Sequence, residues 1–225
     1  MRATWAEAGG LRYIAVQAET VADDAPLVIA LHGRGSSADD LAGLIPLLEP
    51  GWRYVFPQAP LALDLGGYGR GYSWYEPIPA TPERMVAARE TLATGLAALH
   101  EQLGVPSERT ALIGFSQGAV MTLDVGLRAA APYAALVGMS GYLAEADDLA
   151  AHVAARTAQP VLLVHGTRDN VLPVAFARRA RLALEASGLM LEYQEFAMAH
   201  EINDASLRVV GDFLRRHLAG RAGAA

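Results

Sequence analysis

Five short runs in this sequence are almost wholly apolar: Pro26–Leu31, Tyr54–Phe56, Thr110–Ile113, Ala134–Ser140 and Pro160–His165. A strand with one wet face alternates apolar and polar residues. An unbroken apolar run of four to eight residues reads as a strand covered on both faces. Helix-compatible stretches separate these runs, at about 83–103, 119–127, 174–187 and 203–218. Buried strands alternating with helices predict a mostly parallel central sheet with helices on both faces.

The remaining segments fit around that sheet. Thr4–Glu7 and Leu11–Val16 flank Gly9-Gly10 and predict an opening hairpin. Thr81-Pro82 predicts a helix start and Gly104 its stop. Leu191–Phe196 alternates, as a strand nearer the sheet edge does. Residues 145–156 read as a short helix and 219–225 as a frayed tail. Residues 61–81 are rich in Gly, Pro and aromatics and read as a long loop without strand or helix. A loop that long inside a compact domain is usually functional.

Length and charge narrow the classes. The 225 residues suit one α/β domain over 1–225. A formal charge of −6 points away from nucleic acid and anionic membranes. No apolar run approaches the roughly 20 residues of a membrane span. Met1–Glu7 lack the apolar stretch of a secretory signal, so a cytoplasmic location is expected. With no cysteine, disulfides and thiol chemistry are excluded.

The chemistry centres on Gly114-Phe115-Ser116-Gln117-Gly118, a G-x-S-x-G pattern between the run ending at Ile113 and a helix. A serine on so tight a strand-to-helix turn brings its flanking residues together, which glycines tolerate. It also stands at a helix N-terminus, whose free N–H groups favour negative charge. In parallel sheets, sites form beyond the carboxyl ends of strands. His32, Ser116, Asp169 and His200 all follow expected strands.

A serine hydroxyl needs a base, and the base an orienting acid. His100, His152 and His217 lie on expected helices and read as surface or packing residues. His165 is on the correct rim, at the start of the acid's own loop. His200 follows the last strand and comes after both Ser116 and Asp169, the order serine, acid, histidine. The candidates are therefore Ser116 as nucleophile, His200 as base and Asp169 as orienting acid. The oxyanion donors would be the backbone N–H groups of Gln117 and Arg34, with the Arg34 side chain free to face solvent. Tyr72, Trp74, Val171 and Leu172 are candidate substrate contacts. A rival reading takes Gly33–Ala38 as a dinucleotide fingerprint, but Phe56–Pro60 offers no acid for the ribose.

Taken together, Leu31–Gly35, Phe56–Pro60, Trp74-Tyr75, Gly114–Gly118, His165–Asp169 and Ala199–Glu201 resemble the phospholipase/carboxylesterase family over about residues 10–218. These small enzymes include the acyl-protein thioesterases and related bacterial esterases. The resemblance implies the α/β-hydrolase fold without a separate cap domain. It also implies a Ser116–His200–Asp169 triad with an oxyanion hole at Arg34 and Gln117, and neither metal nor cofactor. The turn Ser36–Asp40 and the Gly/Tyr-rich insert point to a carboxylesterase acting on small or medium acyl esters. Lysophospholipase and acyl-(protein) thioesterase activity would use the same residues. A non-catalytic ligand-binding module is the reading from another class. The expected partner is a small-molecule ester, and the expected state a monomer or homodimer.

Overall fold

The computed structural model describes residues 1–22, 24–144, 153 and 158–218. Among them, eight strands form one sheet. Its order is β1 (Arg2–Ala8), β2 (Leu11–Gln17), β4 (Arg53–Pro57), β3 (Leu27–Leu31), β7 (Thr110–Phe115), β8 (Ala135–Met139), β9 (Pro160–Gly166) and β10 (Met190–Phe196). From β4 to β10 every pairing is parallel. The first hairpin pairs antiparallel within itself and onto β4.

The burial of each strand follows its composition. β3, β8 and β9 are buried at every position, and β7 at all but Phe115. β10 alternates exposed and half-buried residues at the sheet edge. Alternation within β3 feeds two cores. Leu27, Ile29 and Leu31 pack with Leu92, Leu96 and Leu99 of α1 (Pro82–Leu103), Val120 and Leu123 of α2 (Gln117–Arg128), and Leu184 of α3 (Ala175–Ala186). Val28 and Ala30 face Phe213 and Leu214 of α4 (Asp204–Leu218), with Leu41 and Ile45 of a 3-10 segment. The result is the three-layer α/β-hydrolase architecture.

α1 has the ends its sequence predicts. Thr81 accepts the Arg84 N–H, Pro82 occupies the first turn, and Gly104 takes the left-handed conformation at φ 65°. The 61–81 segment differs from expectation. It holds β5 (Leu61–Asp64) and β6 (Arg70–Ser73), an antiparallel hairpin outside the main sheet. Four-residue strands around a turn of three glycines carry too little apolar pattern to register as strands. No cap domain stands between β4 and α1. The short helix expected over 145–156, apart from Val153, and the tail at 219–225 lie outside the described residues.

Candidate active site

Ser116 stands between β7 and α2 with φ 56° and ψ −121°. A non-glycine residue held in such a conformation costs about 1–3 kcal/mol and persists only where its surroundings enforce it. Both glycines of the motif are part of that enforcement. A Cβ on Gly114 would lie 2.3 Å from the Gly118 carbonyl oxygen, and one on Gly118 would lie 2.1 Å from the Leu31 carbonyl oxygen. Backbone cannot yield at those distances, so the turn closes only on glycine. The Ser116 N–H donates to Met139 O at 2.9 Å, tying the turn to β8.

The three candidate triad residues come together across β7, β9 and β10. His200 Nε2 lies 2.9 Å from Ser116 Oγ, and His200 Nδ1 lies 2.7 Å from Asp169 Oδ2. Phe115 packs its ring 4.8 Å from the imidazole. Asp169 Oδ1 accepts the N–H groups of Val171 and Leu172 at 2.9 and 2.8 Å. Burial by itself would raise the Asp169 pKa. The bonds from His200, Leu172 and Val171 outweigh it and hold the carboxyl below its ordinary value. A hydrogen-bonded relay from carboxylate to imidazole to hydroxyl can raise the nucleophilicity of the serine.

The loop after β3 crosses this serine. A Cβ on Gly33 would stand 3.4 Å from that of Ser116, and Arg34 follows directly. The Gln117 N–H is the first amide of α2, where no intrahelical acceptor exists. The Arg34 side chain is exposed, as its sequence context suggested, and its guanidinium pairs with Glu76 at 2.6 Å. β6 braces the loop, with Gly35 N–H donating to Tyr72 O and Tyr72 N–H donating to Ser36 O. A Cβ on Gly71 would meet Gly35 O at 2.2 Å.

Two supports of this loop were not read from the sequence. The first is the Gln117 side chain, which is buried. Its Oε1 accepts the Trp74 N–H at 2.9 Å, and its Nε2 donates to Tyr75 O at 2.9 Å. The second is His32, which is 1 % exposed. Its Nδ1–H donates to Gly33 O at 2.7 Å, and its Nε2 accepts the Ala59 N–H at 3.2 Å. The Gln58 side chain sits 3.2 Å from the same nitrogen and accepts the Ala38 N–H. Both ring nitrogens are therefore committed with the proton on Nδ1. The signal was present in His32-Gly33 and Pro57-Gln58-Ala59, but only the adjacency of β3 and β4 pairs them.

Burial holds the His32 pKa below its ordinary 6.5. The folded state thus binds this proton less readily than the unfolded chain. Stability is full above about pH 6.5 and falls with pH until the folded value is reached, at up to about 1.4 kcal/mol per pH unit. Half-buried His100 shifts the same way and adds to the slope. Urea denaturation between pH 7.5 and 5 is expected to show this loss, with a shallower slope for His32→Gln. An equal slope in that variant would remove His32 from the account.

The candidate substrate contacts separate. Trp74 is 3 % exposed. Its indole N–H donates to His32 O at 2.9 Å, which makes it a strut under the loop rather than an open wall. Tyr72 is half-buried, and Val171 is 61 % exposed. Leu172 gives its N–H to Asp169 and its carbonyl to His165. Tyr142, Leu143 and Ala144, absent from the sequence-based set, follow β8 on the same rim. With Met85 and Pro79–Pro82 they line a recess with about 200 Å³ of room for a ligand. Two further recesses, of about 350 Å³ between α1 and the far end of α2 and about 480 Å³ beside Trp5, Arg70 and Tyr72, are, like the first, lined by none of the candidate triad residues.

Comparison with known proteins identifies the family. The family model described as Phospholipase/Carboxylesterase matches residues 12–218. Acyl-protein thioesterase 1 of Yarrowia lipolytica is 29% identical over 187 residues, covering 75% of this chain and 80% of that protein. Esterase YpfH of Escherichia coli is 29% identical over 201 residues, covering 84% and 82%. Among solved structures, esterase PE8 superposes with a TM-score of 0.81 at 29% identity, covering 97% of this chain and 100% of that one. The chain therefore belongs to the phospholipase/carboxylesterase family and is a carboxylic ester hydrolase of the α/β-hydrolase fold.

Proposed function

We propose that the chain is a serine carboxylesterase that hydrolyses short- to medium-chain esters through an acyl-enzyme, without metal or cofactor. The observation that carries this reading is the continuous relay from Asp169 through His200 to Ser116 Oγ, at 2.7 and 2.9 Å. Ser116 Oγ attacks the ester carbonyl carbon while His200 Nε2 takes its proton. Asp169 holds the imidazole and stabilises its cation. The carbonyl oxygen, now negative, is held by the N–H groups of Gln117 and Arg34. His200 then gives its proton to the leaving alcohol as the carbon–oxygen bond breaks. A water molecule, deprotonated by His200, releases the acid and restores the serine.

The 200 Å³ recess lined by Met85, Tyr142 and Leu143 is taken as the acyl site, with Tyr72, Val171 and Leu172 as separate substrate contacts outside its lining. It is smaller than the roughly 300–1,000 Å³ of a drug-sized pocket, which favours a short acyl group. Hydrolysis of p-nitrophenyl esters from acetate to palmitate is expected to peak between acetate and octanoate. A rate that climbs toward palmitate would exclude the short pocket. The second reading, thioesterase or lysophospholipase, draws on the similarity to acyl-protein thioesterase 1 of Yarrowia lipolytica. Matched butyryl oxygen esters and thioesters distinguish it. The intact relay argues against a module that only binds.

A further inference from the structure

His165 ends β9, four residues before Asp169, and takes no part in the relay. It is fully buried, so it cannot reach a substrate. Its Nε2 lies 2.7 Å from Leu172 O, a contact that requires the proton on Nε2. The same nitrogen is 3.4 Å from Asp169 Oδ2, on the carboxylate that His200 engages. Its Nδ1 is buried without a partner. His165 lines a small void together with Leu123, Leu163, Ala177 and Ala180. In such a slot an aliphatic side chain would bring no polar atom of its own to be left unpaired. A buried group with an orphaned nitrogen calls for an explanation other than packing.

Leu172 supplies one. Its N–H donates to Asp169 Oδ1 and its carbonyl accepts from His165, so the residue is gripped from both ends. We propose that His165 is a positioning residue for the acid: by anchoring Leu172 it keeps the Val171 and Leu172 amides on Oδ1 and leaves Oδ2 to His200. The proposal rests on the triad reading above. The charges facing this ring are Asp169 with His200 on one side and Glu195 on β10, its register partner, on the other. Glu195 is itself paired with Arg178 of α3. Asp169 is thus the charged group that the His165 N–H touches.

The test compares His165→Leu, which fills the slot without a donor, with His165→Gln, whose amide N–H extends to the position of Nε2. On p-nitrophenyl butyrate, His165→Leu is expected to lower kcat about 10- to 100-fold with KM within about twofold, as for a misaligned catalytic group. Its Tm is expected to stay within about 4 °C of wild type. His165→Gln is expected to recover most of the rate. In an Asp169→Asn background, where the acid is already lost, His165→Leu is expected to cost no more than about twofold. Wild-type kcat in His165→Leu would overturn the role. So would a loss that Gln does not rescue, or one of equal size in the Asp169→Asn background. An active Ser116→Ala enzyme would instead overturn the triad itself, and this role with it.

Discussion

Ser116→Ala is expected to reduce kcat on p-nitrophenyl butyrate by about 10⁴- to 10⁶-fold, with the protein folded and KM little changed. The proposed nucleophile is removed while the N–H groups of Gln117 and Arg34 and the recess remain. What survives is the oxyanion site's own contribution, roughly 10³- to 10⁴-fold over water. The elbow conformation adds a signature. At φ 56° the serine backbone is strained, and alanine would occupy it without the bond to His200. Thermal stability is therefore expected to change little, because the lost hydrogen bond is half-exposed and worth about 1 kcal/mol. A measured kcat within tenfold of wild type would mean that another group attacks the ester.

Asp169→Asn is expected to cost about 10⁴-fold in kcat, and the reason lies in the acid's other partners. The amides of Val171 and Leu172 are obligate donors, both aimed at Oδ1. In the variant they retain the asparagine oxygen and turn its NH₂ toward His200 Nδ1. That nitrogen must then accept, so the imidazole proton moves to Nε2, where it can no longer take the Ser116 proton. The fold should persist, since the two amide bonds survive. Stopped-flow with p-nitrophenyl acetate checks the step: acylation, rather than deacylation alone, is expected to be slow. A variant that acylates at the wild-type rate would show that the asparagine had turned the other way, or that the acid is dispensable.

Much of this arrangement is legible in the sequence. Runs such as Pro160–His165 had to be covered on both faces, which forced a parallel sheet and a rim at its carboxyl end. Gly9 and Gly10 marked the first hairpin and both adopt positive φ. Thr81, Pro82 and Gly104 bounded α1. The candidate site residues 116, 169 and 200 followed from residue type and chain order, and they meet in space. What escaped depends on pairs distant in sequence. The β5–β6 hairpin is short and glycine-rich, and it is held partly by bonds to the loop at Gly35 and Ser36. Trp74 read as a candidate substrate contact because nothing local reveals that His32 O lies within reach of its indole. Gln58, His32 and the side chain of Gln117 are polar residues whose burial is justified only by partners on neighbouring loops.

Gln117 also bears on how this enzyme can be re-engineered. Its main chain belongs to the elbow, while its amide side chain is bonded to residues 73–75 at the end of the β5–β6 hairpin. A chimera that imports this hairpin from another esterase, to change what the site admits, therefore cannot treat it as a detachable module. Unless the graft presents an N–H and a carbonyl where Trp74 and Tyr75 now offer them, the newcomer would pull on the same residue whose amide is the proposed oxyanion donor. Graft junctions are better placed before Leu61 and after Tyr75, with position 117 chosen to match the donor.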